Sequence, residues 1–237
     1  MQQLRILYRD EYMVIVEKPP GLQVHPPESG GRVRVTALSL LKHQMGQWVY
    51  PVHRLDRATS GVLMFAFSSE IAAELQALFK SEKIWKTYVC VCRGWLEPKF
   101  TVESPLKTAL GDLVSAKTHF DVVSRFEMPF PAAGFSRSRY SLVKAMPVTG
   151  RFHQIRRHLK HISHPMIGDS VYGDGKHNRY WREVLGAKIL LLRAYSLQFI
   201  HPRTREPIYI YSRWPRIWHE LFDRVGVCPF LMERAIT

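Results

Sequence analysis

The sequence predicts an α+β fold, in which helices flank a mixed, mostly antiparallel sheet. Three observations predict this class. Apolar residues make up 46% of the 237 residues, which is enough for a full hydrophobic core. Short β-rich segments bounded by turn residues outnumber the amphipathic helices. The chain also lacks regular strand–helix alternation and the glycine motifs of dinucleotide- and phosphate-binding loops, so a doubly wound parallel sheet is excluded.

The first part of the chain predicts four strands and two helices. The strands are expected at 6–8, 13–16, 62–67 and 85–93, and residues 26–35 form a loop rich in proline and glycine. The first helix runs from Thr36 to about Met45. The second begins after Ser68, which provides an N-cap. Its apolar residues recur at helical spacing, at Ile71, Leu75, Leu78 and Phe79.

The second part predicts short strands and loops between 100 and 135, a strand at 140–145 and a short helix within 149–165. The inward stripe of that helix consists of Phe152, Ile155, Leu159 and Ile162. Arg156 lies beside this stripe and is expected to be half-buried, whereas His158 and His161 lie opposite it. Strands at 188–200 and 207–211 follow, and Pro215 opens a last helix.

Positive charge is the unusual feature of the composition. Lys and Arg number 34 and Asp and Glu number 20, which gives a net charge of +14 and predicts a polyanionic partner. Residues 128–168 contain no Asp or Glu and carry seven of these positive charges. A charge concentrated in this way favours an RNA-binding face, although a solvated basic surface remains the alternative.

Asp56 is the first candidate for chemistry, because Arg54 and Arg57 flank it and favour its ionised form. An ionised aspartate can attack an electrophilic sugar carbon without an activating base. The alternative is that Asp56 caps the turn at Thr59 and pairs with arginine. Tyr88, on the strand at 85–93, is by itself more typical of packing than of catalysis.

A metal site is not expected. His153, His158, His161 and His164 cluster in the sequence, but the surrounding stretch is positively charged and has no acidic or cysteine ligand. Three cysteines cannot build a disulfide framework, no apolar run is long enough to span a membrane, and the N-terminus has no signal-peptide pattern. We therefore expect a cytoplasmic protein without a membrane partner.

A set of spaced motifs runs through the chain. The core motif is His53-Arg54-Leu55-Asp56-x-x-Thr59-Ser60-Gly61. The others, in chain order, are Glu17-Lys18-Pro19-x-Gly21-Leu22-x-Val24-His25, Lys86-x-Tyr88 with Arg93-Gly94, Thr149-Gly150-Arg151-x-His153-Gln154-Ile155-Arg156, His164-Pro165-x-Ile167-Gly168-Asp169, and Leu190-Leu191-Leu192-Arg193-Ala194. Together these motifs resemble those of the RluA-type pseudouridine synthases, and the resemblance covers about residues 4–212. One residue departs from the pattern, because Arg193 stands where the family usually has histidine.

This resemblance implies a single pseudouridine synthase catalytic domain over 1–237, with a C-terminal helix and tail after 213 and no S4-like RNA-binding domain. It implies three catalytic residues. Asp56 acts at C1′ of the ribose or assists deprotonation of C2′, Tyr88 stacks on the base and is the candidate general base, and Arg156 pairs with Asp56. RNA contacts are expected from the basic and histidine side chains of the two main motifs, namely His53, Arg54, Arg57, Arg151, His153 and Arg157. Arg54 is expected to fill the gap left by the flipped uridine.

The implied reaction is redox-neutral and involves no hydrolysis, so no cofactor and no obligate protein partner is expected. The segments at 126–129 and 138–143 resemble those of the members that modify uridine 65 of tRNA. Ribosomal RNA remains the alternative substrate, and a non-catalytic RNA-binding protein is the alternative from a different class. A glycosidase with two carboxylates is disfavoured because the motifs offer one candidate acid.

Overall fold

The computed structural model describes residues 3–26, 35–132 and 134–227 of the chain. The strands are β1 (Arg5–Arg9), β2 (Met13–Lys18), β3 (Tyr50–Pro51), β4 (Ser60–Ala66), β5 (Trp85–Arg93), β6 (Lys99–Glu103), β7 (Leu106–Lys107), β8 (Leu113–Val114), β9 (Lys117–Met128), β10 (Ser138–Pro147), β11 (Leu192–Ile200) and β12 (Pro207–Tyr211). The helices are α1 (Ala37–Met45), α2 (Ser69–Lys80), α3 (Gln154–His161), α4 (Gly175–Leu185) and α5 (Arg216–Val225).

The described residues fall into two compact units. The first contains those within 1–86 and 193–212, and the second contains those within 87–192 and 213–237. In the first unit, β2 pairs antiparallel with β1 and β4, and β11 pairs antiparallel with β12. The pairing of β11 with β4 is parallel. In the second unit, β5, β10, β9 and β6 pair in that order and are all antiparallel. The predicted mixed, mostly antiparallel α+β class is confirmed.

The core of the first unit lies between its sheet and α2. Met13, Ile15 and Met64 from the strands are inaccessible to solvent, and so is Leu75 of the helix. The Ser68 side chain accepts a hydrogen bond from the amide of Ile71, as the predicted N-cap requires. Thr36 caps α1 in the same way. Both helices therefore begin within one residue of their predicted starts.

The core of the second unit is rich in aromatic side chains. Trp181 of α4 packs edge-on against Tyr140, with ring centroids 5.1 Å apart, and both side chains are inaccessible to solvent. Helix α5 follows Pro215 as predicted, packs against β9 and buries Trp218, Leu221 and Phe222.

Several sequence predictions of secondary structure are corrected. The region predicted as short strands and loops contains β9, which is 12 residues long and pairs along its length with β10. Helix α4 was not predicted, because its polar sequence has no continuous apolar stripe. Strand β11 begins at Leu192 rather than at 188. Most of the loop expected at 26–35 lies outside the described residues. The expectation of one catalytic domain stays a prediction.

Helix α3 is shorter than the sequence suggested because the side chain of Gln154 organises its start. The Gln154 Oε1 atom accepts hydrogen bonds from the Thr149 hydroxyl at 2.7 Å and the Arg151 amide at 3.0 Å. Its Nε2 atom donates to the carbonyl of Lys117 and the hydroxyl of Thr118, both at 3.0 Å. These contacts hold residues 149–153 in a turn, so the helix begins at Gln154.

Two side chains of α3 and its turn contradict the predicted orientation. Phe152 was expected to face inward but is 61% exposed, because it precedes the helix and does not follow helical spacing. His158 was expected to face solvent or a ligand but is completely buried. Arg156 is also more buried than expected, with 4% of its surface exposed.

No helix among the described residues is long and apolar enough to cross a lipid bilayer.

Candidate active site

Asp56 lies in the loop between β3 and β4, within the first unit. Leu55 is buried and anchors the loop, whereas Asp56 is half-buried and Arg54 and Arg57 are exposed. The Thr59 amide donates a hydrogen bond to the backbone carbonyl of Asp56 at 3.1 Å, which closes a turn. This turn uses the backbone carbonyl of Asp56.

Lys18 fixes the backbone immediately after Asp56. Its ammonium donates hydrogen bonds to the carbonyls of Pro19 at 3.0 Å, Leu22 at 2.7 Å and Arg57 at 3.1 Å, which uses all three of its donors. Lys18 is inaccessible to solvent. Burial lowers its pKa to about 7, and the nearby Asp56 carboxylate acts in the opposite direction. Lys18 therefore supports the loop that carries the candidate nucleophile.

His53 is half-buried in the first unit, and its ring is held by protein contacts. Its Nε2 atom accepts a hydrogen bond from the Met64 amide at 3.1 Å, and its ring packs on Phe79 at 4.7 Å between centroids. Burial, with a further contribution from Lys86, lowers the pKa of His53 to about 3. The imidazole is therefore neutral near pH 7, and a contact between His53 and RNA stays a prediction.

Tyr88 lies on β5 in the second unit, opposite Ala145 of β10. It is half-buried, whereas the four residues that follow it, 89–92, are completely buried. The ring therefore stands where the strand leaves the core of that unit.

Arg156 forms a buried, two-pronged ion pair with Asp169. Its Nε and Nη2 atoms donate to the two carboxylate oxygens at 2.7 and 2.8 Å, and both residues are at most 4% exposed. Asp169 also accepts hydrogen bonds from the amides of Val171 and Tyr172. Burial acts to raise the pKa of Asp169, but the hydrogen bonds from Arg156 and the two amides hold it below its usual range. The guanidinium is thereby fixed in place and kept charged.

One basic side chain in the turn before α3 and one in α3 contact the β7–β8 hairpin, and His153 contacts a neighbouring tyrosine. Arg151 donates to the carbonyl of Ser115, and Arg157 donates to the carbonyl of Lys107, both at 3.0 Å. Between these two anchoring points the hairpin presents Leu110, which is 91% exposed. The His153 ring lies 3.2 Å from the hydroxyl of Tyr172.

Residues 128–168, the stretch without Asp or Glu, have fewer unbalanced positive charges than the sequence suggests. Glu127, which lies one residue before the stretch, pairs with Arg137 and Arg139 at 3.1 and 3.3 Å. Asp169, which lies one residue after it, pairs with Arg156. Including these two acids reduces the charge from +7 to 7 − 2 = +5. The remaining basic side chains still form a positive region.

The ring of the buried His158 contacts protein groups through both of its nitrogens. Its Nε2 atom lies 3.2 Å from the carbonyl of Ser104, to which it must donate, and its Nδ1 atom lies 3.0 Å from the Thr118 hydroxyl. Burial lowers the pKa of His158. His164 contacts the carbonyl of Arg93 at 2.7 Å. Across the ranges that the structure describes, no three His, Cys, Asp or Glu side chains group in a way that could hold a metal ion.

Comparison with known proteins identifies the family. The sequence model of the RNA pseudouridylate synthase family matches residues 12–161, which contain Asp56, Tyr88 and Arg156. The chain belongs to this family. The resemblance inferred from the motifs is therefore confirmed, and the protein is a pseudouridine synthase, an enzyme that converts uridine to pseudouridine.

Relatives of similar length match nearly the whole chain. The protein is 40% identical to tRNA pseudouridine synthase C of Vibrio cholerae over 234 residues, which covers 94% of this pseudouridine synthase and 96% of the relative. It is 41% identical to tRNA pseudouridine synthase C of Haemophilus influenzae, with coverages of 94% and 98%. The fold is similar to that of human RNA pseudouridylate synthase domain containing 4, with a TM-score of 0.71, 23% identity and coverages of 94% and 93%.

Lys18 and Asp169 are the site residues that sequence reasoning missed as individuals, although both lie within quoted motifs. Lys18 had a recognisable signal, because it ends a strand that begins with four apolar residues and it precedes two prolines. Asp169 had a weaker one, since it is the first acid after a long acid-free stretch. Neither signal identifies the partner.

Proposed function

We propose that this pseudouridine synthase isomerises one uridine of tRNA, at position 65, with Asp56 as the nucleophile. The observation that carries the proposal is the motif His53–Gly61 in a chain about 40% identical, over nearly its full length, to proteins named tRNA pseudouridine synthase C. The positive region of the second unit is consistent with a tRNA substrate. The proposed location is the cytoplasm, where tRNA is available.

In the proposed reaction the target uridine is flipped out of the stem. The bond between N1 and C1′ breaks, the uracil turns, a bond forms between C5 and C1′, and the proton on C5 is removed while N1 gains one. Asp56 either attacks C1′ or assists deprotonation of C2′. Either role requires an ionised carboxylate. No redox partner, water or metal enters this balance.

Tyr88 is proposed to stack on the uracil and to accept the C5 proton. Its half-buried position at the edge of a packed strand suits a ring that must contact a ligand on one face. Arg156 is proposed to pair with Asp56 and keep it ionised. The ion pair with Asp169 supports this role because it holds the guanidinium in one orientation.

Binding of the tRNA backbone is proposed for the exposed Arg54, Arg57 and Arg151 and for the half-buried His53, His153 and Arg157. Arg54 is additionally proposed to enter the stem and occupy the space that the flipped uridine leaves.

The decisive experiment is single-turnover pseudouridine formation on unmodified tRNA with Asp56→Asn, beside a tRNA-binding assay. The substitution keeps the size of the side chain and removes its charge, so we expect wild-type binding and no detectable product. Asp223→Asn, which alters an exposed carboxylate on α5, is the matched control and should react at the wild-type rate. Substantial turnover by Asp56→Asn would show that Asp56 is only a turn residue.

The substrate is tested separately. Pseudouridine is mapped in total RNA from cells with and without the gene, and we expect a site at tRNA position 65 to disappear. Loss of a site in ribosomal RNA instead would contradict the tRNA assignment and leave the chemistry unchanged.

A further inference from the structure

Arg193 occupies the position where the family pattern usually has histidine, and it is one of the largest fully buried side chains, with 1% of its surface exposed. It lies near the start of β11, directly opposite Ser60 at the start of β4. The next pair is Ala194 with Gly61, where a Cβ atom on the glycine would lie 2.0 Å from the Ala194 carbonyl oxygen. The backbones of β4 and β11 therefore lie in close contact at their starts.

The guanidinium of Arg193 connects three segments of the first unit. Its Nη1 atom donates to the Ser60 hydroxyl at 3.3 Å, and its Nη2 atom donates to the carboxylate of Glu17 and the hydroxyl of Ser212. These partners lie on β2, at the start of β4 and after β12. Burial lowers the pKa of Arg193, and Glu17 acts in the opposite direction. A histidine, with two ring nitrogens, could not make the three contacts.

This network adjoins the loop that carries Asp56. Ser60 is four residues after Asp56, and Glu17 is next to Lys18, whose ammonium holds the carbonyl of Arg57 at 3.1 Å. The adjacent residues Glu17 and Lys18 therefore hold the two ends of the segment 57–60, one through Arg193 and the other directly. A segment held at both ends leaves little freedom to the loop that precedes it.

We propose that Arg193 is a positioning residue, which acts with Glu17 as its counter-charge to clamp the Ser60 end of the loop and so sets the place of the Asp56 carboxylate. The proposal rests on the proposed function, because it requires Asp56 to act on the substrate. It predicts an effect on the reaction step rather than on tRNA binding, since Arg193 is buried and cannot contact RNA.

The test compares Arg193→Met, Arg193→Lys and the double variant Arg193→Met with Glu17→Gln in single-turnover reactions, tRNA-binding assays and thermal melting. For Arg193→Met we expect a rate constant about ten- to a hundredfold lower, since a reacting group displaced by about 1 Å costs on that order. The Kd for tRNA should stay close to the wild-type value. Arg193→Lys keeps the positive charge but loses the planar guanidinium, so its rate constant should lie between those of the wild type and Arg193→Met.

The double variant separates positioning from stability. It removes the half-buried Glu17 carboxylate, which Arg193→Met leaves without its buried partner, so its melting temperature should recover relative to Arg193→Met. Its rate should remain low, because the contact with Ser60 is still missing. Arg5→Met is the control, since Arg5 also faces Glu17, at 3.7 Å, but its side chain is 53% exposed; it should react at the wild-type rate.

Recovery of the rate together with the melting temperature in the double variant would show that Arg193 is merely structural. Wild-type rates in both Arg193→Met and Arg193→Lys would overturn the proposal outright. If Arg193→Met does not fold, Arg193→Lys decides alone: a lowered rate supports positioning and a wild-type rate excludes it. Wild-type protein and Asp56→Asn are assayed in parallel, and an inactive wild type or an active Asp56→Asn contradicts the proposed function and this proposal with it.

Discussion

At the scale of a single residue, Arg156 has one predicted partner and one observed partner. One, a pair with Asp56, came from the family resemblance and stays a prediction. The other, its buried ion pair with Asp169, became visible in the structure, where Nε and Nη2 each meet one carboxylate oxygen. A planar fork can satisfy such a pair, whereas an ammonium can satisfy only part of it.

We therefore expect Arg156→Lys to be clearly impaired in pseudouridine formation, although it conserves charge. Loss of the second hydrogen bond to buried Asp169 should also reduce the free energy of unfolding by about 2 kcal/mol. Single-turnover kinetics and urea denaturation measure the two effects. Arg216→Lys, at a position that is 92% exposed, should change neither. A fully active Arg156→Lys would mean that the fork has no role in catalysis.

His53 predicts a specific pH dependence of stability. Its pKa is lowered to about 3 in the folded protein, so the unfolded chain binds the proton first as the pH falls below 6.5. The stabilisation from neutral His53 is thus complete above 6.5 and is lost progressively between 6.5 and 3. The expected slope is at most about 1.4 kcal/mol per pH unit.

Urea denaturation at several pH values between 4 and 8 measures this slope. In His53→Gln the stability should fall less steeply below pH 6.5 than in wild type, whatever its absolute stability. The exposed His43→Gln should keep the wild-type slope. Equal slopes in His53→Gln and wild type would show that His53 does not titrate in this way.

At the scale of elements, α3 and the β7–β8 hairpin form one structural region, because Arg151 and Arg157 bind carbonyls at both sides of that hairpin. Periodicity alone did not reveal this. It predicted a longer helix with Phe152 inside and His158 outside, whereas the Gln154 side chain ends the turn and the helix begins there. The helix therefore presents a different set of residues to solvent.

We expect Arg151→Glu and Arg157→Glu to weaken tRNA binding and to make it less dependent on salt, because each reversal removes a cation that neutralises a phosphate. The slope of log K against log salt should decrease by about 0.9 for each phosphate that is no longer neutralised. Filter binding between low and moderate salt measures it. Arg216→Glu, at an exposed position of α5, serves as the control. The same weakening in all three variants would indicate that no particular region binds the RNA.

At the scale of the whole molecule, the family assignment and the charge agree. A pseudouridine synthase needs to attract RNA and to carry out a rearrangement that is balanced without a cofactor. The net charge of +14 serves the first requirement, and the Asp56 motif is proposed to serve the second. Among the histidines near α3, both ring nitrogens of His158 and the Nδ1 atom of His164 contact protein groups at hydrogen-bond distance.

We accordingly expect full activity in excess EDTA on tRNA whose folding is monitored separately, since tRNA itself requires magnesium. Chelation should change the rate only as far as it changes the folded fraction of the tRNA. A loss of turnover on intact tRNA that zinc restores would show that a metal takes part.

The sequence by itself determined the family, the α+β class and those elements whose signals are local. The helix starts predicted at Thr36, Ser68 and Pro215 are correct to within one residue, and apolar periodicity locates most strands. Only the tertiary structure showed which side chains form the buried ion pairs. Arg156 and Asp169 are 13 residues apart, and Arg193 and Glu17 are 176 apart. Burial and ion pairing depend on which distant segments meet, and no local pattern in the chain encodes that meeting.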